Sequence, residues 1–204
     1  KGQGVQIDDQ ELAVMAEMAV NVAHCPTTAL KVSYGVTQVG KFPEMVQMGV
    51  NVSIGTDGNN ASNYSDLMRA TYLVAGLFKD ARQDPQMFPA EMAYEMATLG
   101  GAKTMQMQDT IGSLEVGKRA DIVLHDTDRP EWRPLLNVAN QLVSSADDRA
   151  VLTAFVDGAH VVETGPQHPI HGRDVANRSP LERAAPTASA RPVQTPTLAL
   201  HYNM

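Results

Sequence analysis

Cysteine is nearly missing from this chain: Cys25 is the single one among 204 residues. A lone cysteine excludes an intrachain disulfide framework and fits a reducing compartment. Positive charge is short as well, with 16 Lys+Arg against 23 Asp+Glu and a net charge of -7. That balance, with no basic patch along the chain, argues against binding to nucleic acid or to an acidic membrane surface. No hydrophobic run approaches the roughly 18 residues of a membrane span, and no signal-peptide pattern is seen, so a cytoplasmic location is the expectation. An initiating Met is absent too. The chain opens on "KGQGVQIDDQ", already running into structure, and reads as if cut from a longer protein.

What is present describes a soluble globular chain, 43% hydrophobic and 19% charged, long enough for one or two domains. Asp8 and Glu11 have capping-box spacing, and Leu12, Met15 and Ala19 recur at helical intervals behind them. "VNVAHCP" is a short β-branched run stopped by Pro26. A helix is expected over 42–48 with Pro43 near its start, and Gly49 closes it before a strand over 50–54. Helix, strand, helix, strand with short connections suggests a parallel α/β arrangement. Leu67, Ala70, Val74, Leu77 and Phe78 mark one face of a longer helix. Another helix starts near Pro89, carries Met92, Met96 and Leu99, and is interrupted or ended by Gly100-Gly101.

The period then changes. "IGSLEVGKRADIVLHD" and "VLTAFVDGAHVVETG" read as β-rich, the second with an Asp157-Gly158 hairpin signal, and "DRPEWRPLLN" between them reads as a loop. The division is thus an α/β piece at 1–107, a small β piece at 108–165 and an aperiodic tail at 166–204, disordered or loosely packed. Two strands in the α/β piece cannot close a barrel, and their apolar sides are expected to be exposed.

"NVSIGTDGNN" poses the functional question. An apolar run stops at Gly55 and delivers Asp57 between Thr56 and Gly58. Aspartate before glycine is a common turn signal, so the ten residues alone leave Asp57 as either a turn residue or a chemical group.

Three segments in order resemble one family. "VNVAHCPTTALKVSYG" is similar to the "HCP-x-S-N-x-K-L-x-x-G" segment of the amidohydrolase superfamily, in the branch of cytosine, guanine and adenosine-derivative deaminases and triazine hydrolases. "GVNVSIGTDGNNASNYSDLMRA" resembles the "G-x-x-V-x-L-G-T-D-G-x-x-S-N-x-x-D-M" that follows it there. "IGSLEVGKRADIVLHD" resembles the segment returning the chain to a small β-sandwich. The resemblance covers roughly 3–165 and implies the C-terminal portion of a (β/α)8 TIM barrel, strands seven and eight, plus part of a composite β-sandwich.

It also implies a mechanism. Such enzymes hold one Zn²⁺, or sometimes Fe, whose bound water is acidified toward a pKa of about 7 and attacks a ring carbon bearing an amino or halide group. Asp57 would be metal ligand and proton carrier, at the C-terminal end of a barrel strand where catalysis occurs. His24 would contact a small N-heterocyclic substrate, a purine, pyrimidine or s-triazine; a hydrogen-bonded structural histidine is the other reading. The remaining metal ligands of the family, a His-x-His, a further His and a Glu, precede the matched region. The six histidines here, His24, His125, His160, His168, His171 and His201, include no His-x-His. The family's histidine before the first matched helix falls at Gln3, and its Asn in "S-N-x-K" is Ala29.

Bland roles are expected elsewhere: a packed thiol for Cys25, loop ordering for Lys31, turn and cap duties for Asn60, Ser62, Asn63 and Asp66, a solvated helix end for Lys79, Asp80 and Arg82, core filling for Met92, Met96, Met105 and Met107, and adventitious metal binding for His168 and His171. The expectation is the C-terminal part of a deaminating amidohydrolase whose partner is its own N-terminal portion, with a homo-oligomer left open. The alternatives are an s-triazine chloro- or aminohydrolase, or a noncatalytic truncated fragment that binds no metal alone.

Overall fold

The computed structural model of the chain describes residues 5–163 and a strand at Thr197–Leu200. Gln3, His168, His171, His201 and the rest of the expected tail lie outside the described residues.

The first elements follow from local chemistry. Helix α1 (Asp9–Glu17) opens with a full capping box: the Glu11 N–H donates to Asp8 Oδ1 at 2.8 Å and the Asp8 N–H to Glu11 Oε2 at 2.9 Å. Strand β1 (Asn21–His24) leads into α2 (Pro26–Lys31), with Pro26 in the first turn where its missing N–H costs nothing. Two short helices follow, α3 (Val36–Val39) and α4 (Phe42–Gln47), before Gly49 turns the chain with φ of 81° into β2 (Asn51–Ile54). β1 and β2 pair in parallel, from Asn21 opposite Asn51 to His24 opposite Ile54.

β2 is covered on both sides and β1 on one, with Asn21 and Ala23 exposed. Val22, Val52 and Ile54 join a core that includes Phe42 of α4 and Phe78 of α6 (Leu67–Arg82). Phe78 meets Phe42 and Phe88 edge to face, with ring centroids 5.9 and 5.7 Å apart, a preferred aromatic geometry. The polar residues of β2 face α8 (Leu99–Thr104). The Asn51 amide donates to Gly100 O and Thr104 Oγ1, both at 3.0 Å, and Thr104 Oγ1 bonds Ser53 Oγ at 2.9 Å. Val22, Val52 and Ile54 are therefore buried, contrary to the expected exposure, while Ala23 stays exposed.

Three further expectations change in the structure. The helix after Pro89 breaks at Thr98, between α7 (Ala90–Ala97) and α8, while Gly100 lies inside a helix because a Cβ there would come within 3.4 Å of Val52 O. The end of α6 is a clasp: Lys79 donates to the carbonyls of Pro85, Met87 and Phe88, and Arg82 to Gly40 O at 2.8 Å and to the Glu44 carboxylate. Met96 is buried, but Met92 and Met105 are exposed, since one helix face alone meets the core.

The small sheet is antiparallel in the order β5-β4-β3-β6, built from β3 (Ile122–Asp126), β4 (Val151–Val156), β5 (Ala159–Glu163) and β6 (Thr197–Leu200). β4 and β5 meet through Asp157-Gly158, both with positive φ, as a two-residue hairpin requires. Residues 111–121 form turns rather than a strand, so only the end of "IGSLEVGKRADIVLHD" enters the sheet. Thr197–Leu200 departs from the expected loose tail by pairing with β3. The "DRPEWRPLLN" loop holds a single 3-10 turn at Pro130–Trp132 that buries Trp132 completely against Met68, Leu142 and Ala150. Leu142 comes from α9 (Val138–Ser144), which packs on α6 and α7.

Two histidines are sealed in this structure. The His24 ring stacks on Phe42 at 3.8 Å and also faces Phe78, and His125 lies 6.0 Å from Trp132. Among the described residues, neither ring nitrogen of either residue has a hydrogen-bond partner. Burial disfavours the imidazolium and lowers the pKa of His24 to about 3 and of His125 to about 4. The unfolded chain protonates both near 6.5, so each contributes stability above that pH and loses it as pH falls toward its folded value.

Replacing His24 with Leu should remove a slope of about 1.4 kcal/mol per pH unit from unfolding free energies measured between pH 6 and pH 4. An unchanged slope would mean that the ring is protonated in the fold. Phe78→Ala should cost about 3–5 kcal/mol in urea denaturation, and a loss below about 1 kcal/mol would remove the aromatic layer from the core.

Candidate functional site

Because β1 and β2 are parallel and in register, their C-terminal ends emerge side by side. The Gly55 N–H donates to His24 O at 2.9 Å, extending the pairing one residue past β2. Beyond β1 stands Cys25, the N-cap of α2; beyond β2 the chain runs through Thr56 to Asp57. The two ends touch. A Cβ built on Gly55 would sit 3.1 Å from Cys25 Sγ, so only glycine lets the sulfur lie against that backbone.

Asp57 is exposed and takes φ of 62°, a left-handed conformation that aspartate tolerates better than most residues. Its Oδ1 accepts the Gly58 N–H at 2.7 Å, which fixes the carboxylate against its own turn. The Asp57 N–H donates to the Cys25 sulfur. Burial pushes the Cys25 thiol up, the nearby Asp57 carboxylate adds to the rise, and the N–H bond opposes it. This is an inert, protonated thiol.

The polar residues after Asp57 are engaged in building the loop. Lys31 Nζ donates to Ala61 O at 2.7 Å and to Asn63 Oδ1, fastening α2 to α5 (Asn59–Ser62), as a loop-ordering lysine would. Ser62 Oγ donates to Tyr64 O at 2.8 Å and accepts the Tyr64 N–H at 3.1 Å. Asp66 caps α6 through the Arg69 N–H and also accepts from the Tyr64 hydroxyl at 3.1 Å. Burial first, and the Asp66 carboxylate second, push the Tyr64 phenol up to about 12, with the Arg69 guanidinium 4.5 Å above its ring.

The structure brings Cys25 and Asp57 together and sends His24 elsewhere. His24, expected either as a substrate contact or as a structural histidine, faces the aromatic core with no exposed surface, because alternation along β1 turns the side chain toward the helices. Sequence reasoning missed a cavity of about 700 Å³ between the start of α6 and the small sheet, lined by residues that include Tyr64, Leu67, Met68, His125 and Ala154. Asp57 is not among its lining residues. The placement of Val123 and His125 on one side of β3 was the available signal.

The donor set decides what the site holds. Among the described residues, no three His, Cys, Asp or Glu side chains converge as a metal site would need. A catalytic zinc takes three protein ligands and keeps a fourth position for water. One carboxylate beside a protonated thiol does not fit that ion, so no reaction step is assigned to a metal held by these residues alone.

Comparison with known proteins gives the context of this strand end. The pattern of the amidohydrolase family matches residues 2–161. A 5-methylthioadenosine/S-adenosylhomocysteine deaminase from Moorella thermoacetica is 40% identical over 161 residues, covering 79% of this chain and 37% of the relative. The enzyme of that name from Desulforudis audaxviator is also 40% identical, with coverage of 79% and 36%. The chain thus spans little more than a third of the length of these relatives. Among solved structures, a zinc-bound adenosine deaminase from Xanthomonas campestris superposes with a TM-score of 0.75 at 31% identity, over 85% of this chain and 39% of the other. A zinc-bound atrazine chlorohydrolase from Arthrobacter aurescens shares the fold at the same TM-score of 0.75 and 23% identity, over 85% of this chain and 38% of that one. With its family pattern running from the first helix through the small sheet, the chain belongs to the amidohydrolase family.

Proposed function

We propose that this chain is the C-terminal part of a metal-dependent hydrolase that replaces the amino group of a purine or related N-heterocycle with oxygen, consuming water and releasing ammonia. The observation that carries this reading is Asp57, an exposed carboxylate at the C-terminal end of the second of two parallel strands, in a chain 40% identical to proteins named as deaminases of adenosine derivatives. In (β/α)8 barrels that end of the strands is where catalysis takes place.

On this reading β1 and β2 are strands seven and eight, residues 1–107 belong to the barrel, and 108–165 together with Thr197–Leu200 to a β-sandwich. Asp57 is the ligand that this chain contributes to a zinc or iron ion, and it is also the carboxylate that takes a proton from water and returns it to the departing amine. The other ligands come from an N-terminal portion that acts as partner to this one. His24 is assigned to packing. Among the described residues no helix is long and apolar enough to cross a membrane, which suits a cytoplasmic enzyme.

Deamination is favoured over triazine dechlorination because the relatives at 40% identity carry deaminase names, whereas the chlorohydrolase shares only the fold. A second reading, that the 204-residue chain is noncatalytic by itself, is favoured by the missing ligand cluster among the described residues. Both hold if activity needs the two portions together.

Purified as it stands, the chain should hold far less than one zinc per molecule and release no ammonia from a panel of aminopurines and aminopyrimidines. Stoichiometric zinc with turnover would overturn the need for a second portion. Joined to that portion, the Asp57→Asn variant should lose at least about 100-fold in kcat/KM for its best substrate, the scale of a lost acid–base group. Activity within about threefold of the parent, well short of that scale, would remove Asp57 from the chemistry.

A further inference from the structure

We infer that Asp57–Gly58 is a site of spontaneous covalent modification, at which the Gly58 amide nitrogen attacks the Asp57 side-chain carboxyl and the residue becomes isoaspartate. The same dipeptide at Asp157–Gly158 is shielded by the fold.

The chain contains Asp-Gly twice, at 57–58 and at 157–158. All four residues are exposed, and both aspartates have positive φ, 62° and 52°. Glycine favours attack at both sites, because no Cβ stands beside its nitrogen. Sequence and exposure therefore do not separate the two; the direction of the glycine amide does. The Gly58 N–H donates to Asp57 Oδ1 at 2.7 Å, so the nitrogen already lies against the carboxyl it must reach. Turning the carboxyl plane brings its carbon to the nitrogen without opening the bonds of α5, which run from the Ala61 and Ser62 N–H groups to Gly58 O.

At the second site the Gly158 N–H donates elsewhere, to Ala120 O at 3.0 Å, and the Asp157 N–H donates to Asp121 Oδ1 at 2.6 Å. The Asp157 carboxylate lies 3.8 Å from Arg119 Nε. Attack there requires the hairpin between β4 and β5 to leave residues 120–121 first. A misplacement of about 1 Å costs on the order of 100-fold in a reaction between held groups.

The reaction needs no co-reactant but water. A bond forms between Gly58 N and Asp57 Cγ, the Cγ–OH bond of the protonated carboxyl breaks, and the amide proton leaves with that hydroxyl as water. Water then opens the succinimide at the Asp57 main-chain carbonyl carbon and breaks its bond to Gly58 N. The mass is unchanged, the main chain runs through Cβ and Cγ, and the free carboxylate is carried on Cα. A metal ligand and proton carrier would thus be offered from the wrong atom. That consequence alone rests on the assignment of Asp57 to the chemistry.

Peptide mapping of the 204-residue chain, with isoaspartate identified by its own fragment ions in mass spectrometry, tests the proposal after ageing in native buffer and in guanidinium chloride. In native buffer isoaspartate at 57 should exceed that at 157 by at least about tenfold; in denaturant, where neither amide is held, the two should agree within about threefold. Gly58→Ala, whose Cβ would meet the end of the Asn60 side chain, should lower modification at 57 about tenfold and leave 157 unchanged. Asp121→Ala, which removes the acceptor of the Asp157 N–H, should raise modification at 157 by about threefold to tenfold in the folded chain.

Equal accumulation at the two sites in native buffer, or faster accumulation at 157, would overturn the proposal. So would the same ratio with and without denaturant, since the fold would then play no part. None of these readouts involves turnover. Absence of isoaspartate at 57 leaves the catalytic assignment of Asp57 standing, while a fully active Asp57→Asn enzyme would sink that assignment without touching the modification.

Discussion

Two parallel strands of four residues each are too little sheet to stand alone, and the structure depends on the helices that cover them, on both sides of β2 and on one side of β1. One side is closed by aromatic rings, with Phe42 against His24 and Phe78 at the centre of the edge contacts. The other side of β2 is closed by α8, where Asn51 donates to Gly100 O, Ser53 accepts from Thr104, and Gly100 lets the helix come close. Under this cover β1 and β2 pair in register. The register then sets Cys25 beside Gly55, and so determines where Asp57 stands.

Much of this was legible in the sequence, for identifiable reasons. The capping box at Asp8 and Glu11, the proline starts at Pro26 and Pro43, and the Asp157-Gly158 hairpin are local devices whose geometry is set by a few neighbouring residues. Asp57 could be singled out because an apolar run ends just before it and its motif matches the family pattern.

What escaped was tertiary. His24 lies one residue before Cys25, yet the pleat of β1 sends it into the core; its orientation follows from which face the helices cover. Thr98, not the glycine pair, breaks the helix, and Gly100 inside α8 allows the close approach to β2. Lys79 and Arg82 look like solvent charges until the chain folds carbonyls and Glu44 toward them. Trp132, in a stretch read as loop, is buried against Met68, Leu142 and Ala150. The Cys25–Asp57 contact joins residues 32 positions apart and leaves no local pattern.

The chemistry that emerges is partial in a definite way. The chain holds an in-register strand pair with the Asp57 carboxylate exposed beyond one end and the Cys25 thiol, whose pKa is raised, beyond the other, but among the described residues it gathers no set of metal ligands. The central claim is that Asp57 completes a metal site whose other ligands come from a preceding portion. Anomalous diffraction at the zinc edge from crystals of the two portions together tests it most directly. The account predicts a metal peak about 2.0–2.2 Å from an Asp57 carboxylate oxygen, the usual zinc–carboxylate distance. A fully ligated metal that Asp57 does not touch would contradict it.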